Sequence, residues 1–131
     1  MDAVLQAMMA EWKADGPLLA ALPRWYTTEA PPDTPMPYAI CFTISEVPQY
    51  TFDTAKTIEN LPLQISVFEQ SMSPGTILAI GTLLKGVFDF AALTVAGYTA
   101  VRCMRVGGSL LREDDGVNHL WVQYDIITEV T

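Results

Sequence analysis

"LPLQISVFEQSMSPGTILAIGTLLKGVFDF", residues Leu61–Phe90, changes its hydrophobic rhythm halfway through. Up to Gln70 the apolar side chains Leu63, Ile65 and Val67 fall on every second residue, the spacing of a strand with one buried face. After Pro74 they recur three and four apart, at Ile77, Ile80, Leu84, Val87 and Phe88, which is the stripe of an amphipathic helix. Ser73 reads as the N-cap and Pro74 as the first helical residue, where its missing N–H costs nothing. Gly81 and Gly86 weaken such a helix by about 1 kcal/mol each relative to alanine, so close packing against another surface is the expected reason for them. A strand running straight into a helix invites comparison with a nucleophile elbow, yet G-x-S-x-G is absent. Ser73-Pro74-Gly75 also lacks the glycine-rich run and lysine of a phosphate loop.

Working outward, Asp2 can cap a first helix whose apolar residues Val4, Leu5, Met8, Met9 and Trp12 form one stripe. Ala14-Asp15-Gly16-Pro17 stops it, and a short apolar turn ends near Pro23. A proline-rich link from Thr27 to Pro37 should be extended and solvated. Tyr38–Ile44 alternates as a strand with Tyr38, Ile40, Phe42 and Ile44 on one face. A further strand spans Tyr98 to Val106 and continues past Gly107 and Gly108, where a bulge or bend is expected. Asp115-Gly116 signals a tight hairpin into a last strand with Leu120, Val122, Tyr124 and Ile126 inward. The expectation is one α+β domain over residues 1–131. It has a four-stranded, mainly antiparallel sheet with two helices packed on one face, in the order helix, strand, strand, helix, strand, strand. Ile40, Phe42, Ile65, Val67, Leu120, Val122, Tyr124 and Ile126 should line its buried face.

The 131-residue chain is half hydrophobic, high for a lone soluble monomer, which suggests apolar surface kept for partners. Its formal charge of −8, with only seven scattered basic residues, argues against a general nucleic-acid binder. No apolar run is long enough to span a membrane, and no basic region precedes the first apolar residues, so synthesis in a cytoplasm without secretion is expected. Cys41 and Cys103 read as buried, reduced thiols, far from any His partner or helix start.

Each candidate for chemistry has a better structural explanation. His119 is the only histidine and reads as a structural or solvated residue of a surface strand. Glu113, Asp114 and Asp115 are adjacent in a tight turn, where successive carboxylates point apart, and no calcium-loop spacing follows. The residues call for no catalysis, cofactor or metal. Trp121 stands out, because alternation places it on the polar face between His119 and Gln123. It is either covered by a second layer or by the amino-terminal segment, or a contact anchor, a role in which Trp is enriched.

The order of elements, with Pro37–Ser45 "PYAICFTIS", Leu61–Gln70 "LPLQISVFEQ" and Asp114–Val130 "DDGVNHLWVQYDIITEV", resembles the tail-completion or tail-terminator proteins of long-tailed bacteriophages and prophages. The resemblance implies a structural virion protein, made in the host cytoplasm, that forms a homo-oligomeric ring, usually a hexamer. Such a ring caps the tail tube and joins it to the head connector, with DNA passing through unbound. On this reading the Glu46–Asn60 segment is an intersubunit arm, with Tyr50, Phe52 and Ile58 as its apolar contacts and Trp121 as a further one. Glu46, Asp53 and Glu59 then face the channel and repel phosphates. The alternatives are a head-tail connector or tail-tube component, or, in another class, a small α+β ligand-binding or enzymatic domain with its pocket between sheet and helices.

Overall fold

Asp2–Ala14 forms the helix α1, whose buried residues Val4, Leu5, Met8 and Trp12 recur at helical spacing. A computed structural model of the chain describes residues 2–44, 58–71, 73–95, 98–113 and 116–130. What reads in sequence as an apolar turn is a second helix, α2 (Gly16–Ala21), begun by Asp15, whose carboxylate accepts from the Leu18 N–H at 2.9 Å. The strands β1 (Trp25–Thr27), β2 (Tyr38–Thr43) and β3 (Ile58–Gln70) follow. Next come helix α3 (Gly75–Phe88) and strands β4 (Ala92–Leu93), β5 (Tyr98–Arg112) and β6 (Val117–Val130).

The expected four-stranded antiparallel sheet with two helices is therefore corrected. Among the described residues there are six strands in the order β1-β2-β3-β6-β5-β4, curled as half a barrel, with three helices. β1 pairs parallel to β2, so the sheet is mixed; the other pairs are antiparallel. β1 and β4 escape a sequence reading because two or three residues cannot display a period. Their pairing is set by the neighbours they meet.

The core lies between the helices and one face of the sheet. Leu63, Ile65 and Val67 of β3 and Leu120, Val122, Tyr124 and Ile126 of β6 meet Ile77, Ile80, Leu84 and Phe88 of α3, as their spacing anticipates. Val87 packs only partly against this core. β2 is turned the other way: Ala39 and Cys41 are fully buried, while Ile40 and Phe42 lie half-buried on the opposite face. α1 packs against β2, and a close helix requires small residues beneath it. Residues that are apolar on both faces leave that choice open in sequence.

The junction quoted above is one residue out of register with its expected cap. α3 starts at Gly75 with Pro74 in the capping position, and the Ser73 hydroxyl accepts from the Gly75 N–H at 3.3 Å. Gly81 is buried, and a Cβ there would stand 2.6 Å from Leu120 Cδ2, so α3 lies close enough to β6 that any side chain at this position must displace Leu120. Gly86 has no atom near enough to explain it. The expected bulge in β5 is present as a one-residue register shift between Arg105 and Gly107.

Candidate assembly interface

Four aromatic rings connect α1 to the sheet and end at the buried Tyr124 of β6, opposite Arg105 of β5. Trp12 stacks on Trp25 with centroids 5.7 Å apart, Trp25 on Phe88 at 5.7 Å, and Phe88 meets Tyr124 at 6.2 Å. The Trp12 indole N–H donates to the Leu22 carbonyl at 2.8 Å, which locks α1 to the end of α2. Tyr124 donates its hydroxyl proton to Asp89 Oδ1 at 2.7 Å. Burial first, and then this bond, push the phenol's pKa well above its ordinary value, so it remains a donor. Asp89 Oδ2 in turn holds Arg105 Nε at 3.2 Å, just before the β5 bulge.

A second polar set clasps the other end of β5. Arg112 Nη1 donates to the Ser71 carbonyl at 3.1 Å and to Asn118 Oδ1 at 3.0 Å, and Asn118 Nδ2 lies 3.5 Å from Glu69 Oε1. Glu69 and Asn118 are buried. The strand–helix junction thus holds a structural clasp rather than a nucleophile. Sequence reasoning passed over it, although the signal was there. Glu69 continues the inward parity of Ile65 and Val67, and Asn118 that of Leu120 and Val122.

Between these two anchors β5 is bare along one side. Its partner β4 reaches only Val101 and Arg102, and Phe90 and Ala91 bond to Cys103. From Met104 to Arg112 no strand among the described residues pairs with that edge. Beside it runs an open groove of about 430 Å³ between Leu78 and Lys85 of α3 and the stretch Arg105–Leu110 of β5. Leu78 is 49% exposed, Val106 53% and Leu111 51%. An uncovered strand edge flanked by exposed apolar side chains is the feature of this fold most suited to association.

The sheet face away from the helices carries a second aromatic row. Tyr26 meets Tyr38 edge-on at 6.3 Å, Tyr38 stacks on Phe68 at 5.2 Å, and Phe68 on His119 at 4.4 Å. Trp121 lies on this face, half-buried, opposite Ser66 of β3 and Ser109 of β5. His119 Nδ1 is 3.7 Å from Glu113, and its Nε2 is buried with no partner among the described residues. Burial lowers its pKa and Glu113 pulls the other way. It is a packed ring of the row.

Of the residues expected at an interface or channel, Tyr50, Phe52, Glu46 and Asp53 lie outside the described residues. Ile58 and Glu59 belong to the start of β3, opposite Glu129 and Thr128 of β6, rather than to a loop. Asp114 and Asp115 are likewise outside the described residues, and no cluster able to hold a metal occurs among those described. Cys41 and Cys103 sit in the core, and burial pushes the Cys103 thiol up to about 12, with Cys41 shifted the same way. Neither thiol is a nucleophile at neutral pH. No helix among the described residues is long and apolar enough to cross a membrane.

A family described as tail completion protein gp17 matches residues 6–129. Among solved structures, a chain from the virion of a native gene transfer agent particle superposes with a TM-score of 0.79 at 17% identity, over 95% of this chain and 92% of that one. The gp17 protein of bacteriophage SPP1 superposes with a TM-score of 0.65 at 18% identity, over 95% and 88%. At such identities the two likenesses establish the fold. A search of curated proteins gives no match.

Proposed function

The chain belongs to the tail completion protein gp17 family, and from that premise we propose how it completes a tail. It is a structural component of a phage-type virion at the head–tail junction. Copies of the chain close into a ring, six in the simplest reading. The ring sits on the last tier of the tail-tube protein and offers its other side to the head connector. It works by assembly and carries out no reaction.

The observation that carries this reading is the bare β5 edge beside its groove. A ring subunit needs a surface that differs from the one it meets, and a sheet with one long uncovered edge supplies it. The net charge of −8 suits a channel that DNA must pass without adhering. The arm, with Tyr50 and Phe52, together with Ile58 at its root in β3 and the half-buried Trp121, makes the contacts between subunits or toward the tail.

Because β3 begins at Ile58, the test removes residues 47–57 and closes the gap with a short turn. The variant is expected to melt cooperatively like the parent, to sediment as a monomer where the parent forms rings, and to leave heads and tails unjoined in electron micrographs. Normal rings and joined particles from the shortened chain would overturn the role of the arm.

A further inference from the structure

The backbone polarity of the β5 edge can be counted from both sides of the sheet. The Ala39 N–H donates to Arg24 at 2.9 Å, so Ala39 faces β1 and away from β3. Alternation then turns its partner Val67, and with it Ile65 and Leu63, toward β6. Their partners Leu120, Val122 and Tyr124 face β3, which leaves Leu110, Gly108 and Arg105 facing away from β6. From the other side, Cys103 exchanges bonds with Phe90 and Ala91 at 2.9 and 3.0 Å, and so also faces away from β6. The two counts agree across the register shift at Val106. The N–H and C=O groups of Arg105, Gly108 and Leu110 therefore point outward, a template for an added strand.

Charge narrows what that strand is. Of the seven basic residues in the chain, Arg102, Arg105 and Arg112 lie on β5 and Lys85 lies across the groove; against them stand Asp89, paired with Arg105, and Glu113, so the surroundings of this edge stay net basic. An acidic strand is attracted there and a basic one repelled. Within this chain the segment 45–57 answers the description. Tyr50, Thr51, Phe52, Asp53 and Thr54 are strongly β-prone apart from Asp53, and Glu46 and Asp53 outnumber Lys56. Side chains two apart share a face, so on an added strand Tyr50 and Phe52 would present together to the groove beside Leu78.

Reach excludes the chain's own edge. Ile58 lies seven residues along β3 from Ile65, which is level with Val122 and Gly108 two strands away. At about 3.3 Å per residue and about 4.8 Å per strand, the middle of the edge is about 25 Å from the root of the segment. Thirteen residues tethered at both ends extend about 23 Å at most, with nothing left to lie along the edge. We infer that the open edge of β5 receives the 45–57 segment of a neighbouring copy as an added strand. This inference rests on the ring reading above and names its joint.

Two single-cysteine reporters test it, since Cys41 and Cys103 are buried and unreactive. Thr51→Cys in one tagged chain and Ser109→Cys in another are co-expressed, and the sedimented assembly is treated with a short bismaleimide. Cross-linked heterodimer is expected from this pair, many-fold above the yield from either variant alone or from Thr51→Cys with Thr82→Cys on the exposed side of α3. Rings that form without that cross-link overturn the joint and leave the ring standing. A chain that sediments as a monomer at every concentration overturns both.

Discussion

Gly81 and Gly86 sit five residues apart on α3, and the same added methyl group should move stability in opposite directions at the two. At Gly86, which is exposed, a Cβ meets nothing within 4 Å. Only the backbone term remains, and Gly86→Ala should stabilise by about 0.5–1 kcal/mol. At Gly81 the same gain is opposed by Leu120, whose Cδ2 would lie 2.6 Å from the new Cβ. Leu120 is 6% exposed and has little room to swing, so the site is overpacked at a cost of about 1–3 kcal/mol. The net effect of Gly81→Ala is a loss of about 1 kcal/mol. For a chain of this size each kcal/mol moves the melting midpoint by about 3–5 °C, so the two variants should melt on opposite sides of the parent. Thermal melts checked by urea titration, with unchanged slope, measure both. The double variant Gly81→Ala/Leu120→Ala should show favourable coupling, because the second change makes the space the first one needs. If Gly81→Ala stabilised as much as Gly86→Ala, Leu120 would be yielding freely, and close approach of α3 to β6 would not be the reason for the glycine.

Tyr124→Phe removes a hydrogen bond to a carboxylate from a fully buried ring and should cost about 1.5 kcal/mol in urea titrations, less if Asp89→Asn is already present. His119 has a folded-state pKa below its ordinary value, so the unfolded chain binds its proton more readily. That contribution to stability is whole above the ordinary histidine pKa of about 6.5 and is lost as pH falls from there toward the lowered folded-state value. Between pH 7.5 and 5.5 the parent should therefore lose more stability than His119→Phe, which keeps the stack on Phe68 and does not titrate. Equal losses would show that His119 takes up its proton in the folded chain as easily as in the unfolded one.

The expected absence of an active site rested on residue types and spacing, and the structure replaces it with particular partners for several groups. Tyr124, Asp89 and Arg105 are bonded to one another, as are Arg112, Asn118 and Glu69. The first set was invisible in sequence, because Tyr124 and Asp89 are 35 residues apart and nothing local joins them. The bare β5 edge was equally hidden. A strand's period announces which face is buried but says nothing about which neighbour, if any, takes up its N–H and C=O groups.

By itself the sequence determined that β3 precedes a helix, that β5 and β6 form a hairpin at Gly116, and which face of β3 and β6 is buried. Each of these is written in a local period or a turn residue, and Gly116 indeed adopts a φ of 85°. Tertiary structure alone decided the rest. Ala39 and Cys41, rather than Ile40 and Phe42, went under the helices, since both pairs are apolar and only the close approach of α1 distinguishes small from large. β1 and β4 became strands because β2 and β5 offered them partners, and three helices found room because a sheet of six curled strands presents more face than one of four. Local chemistry sets a residue's period, and only the surface it meets sets its side and its neighbour.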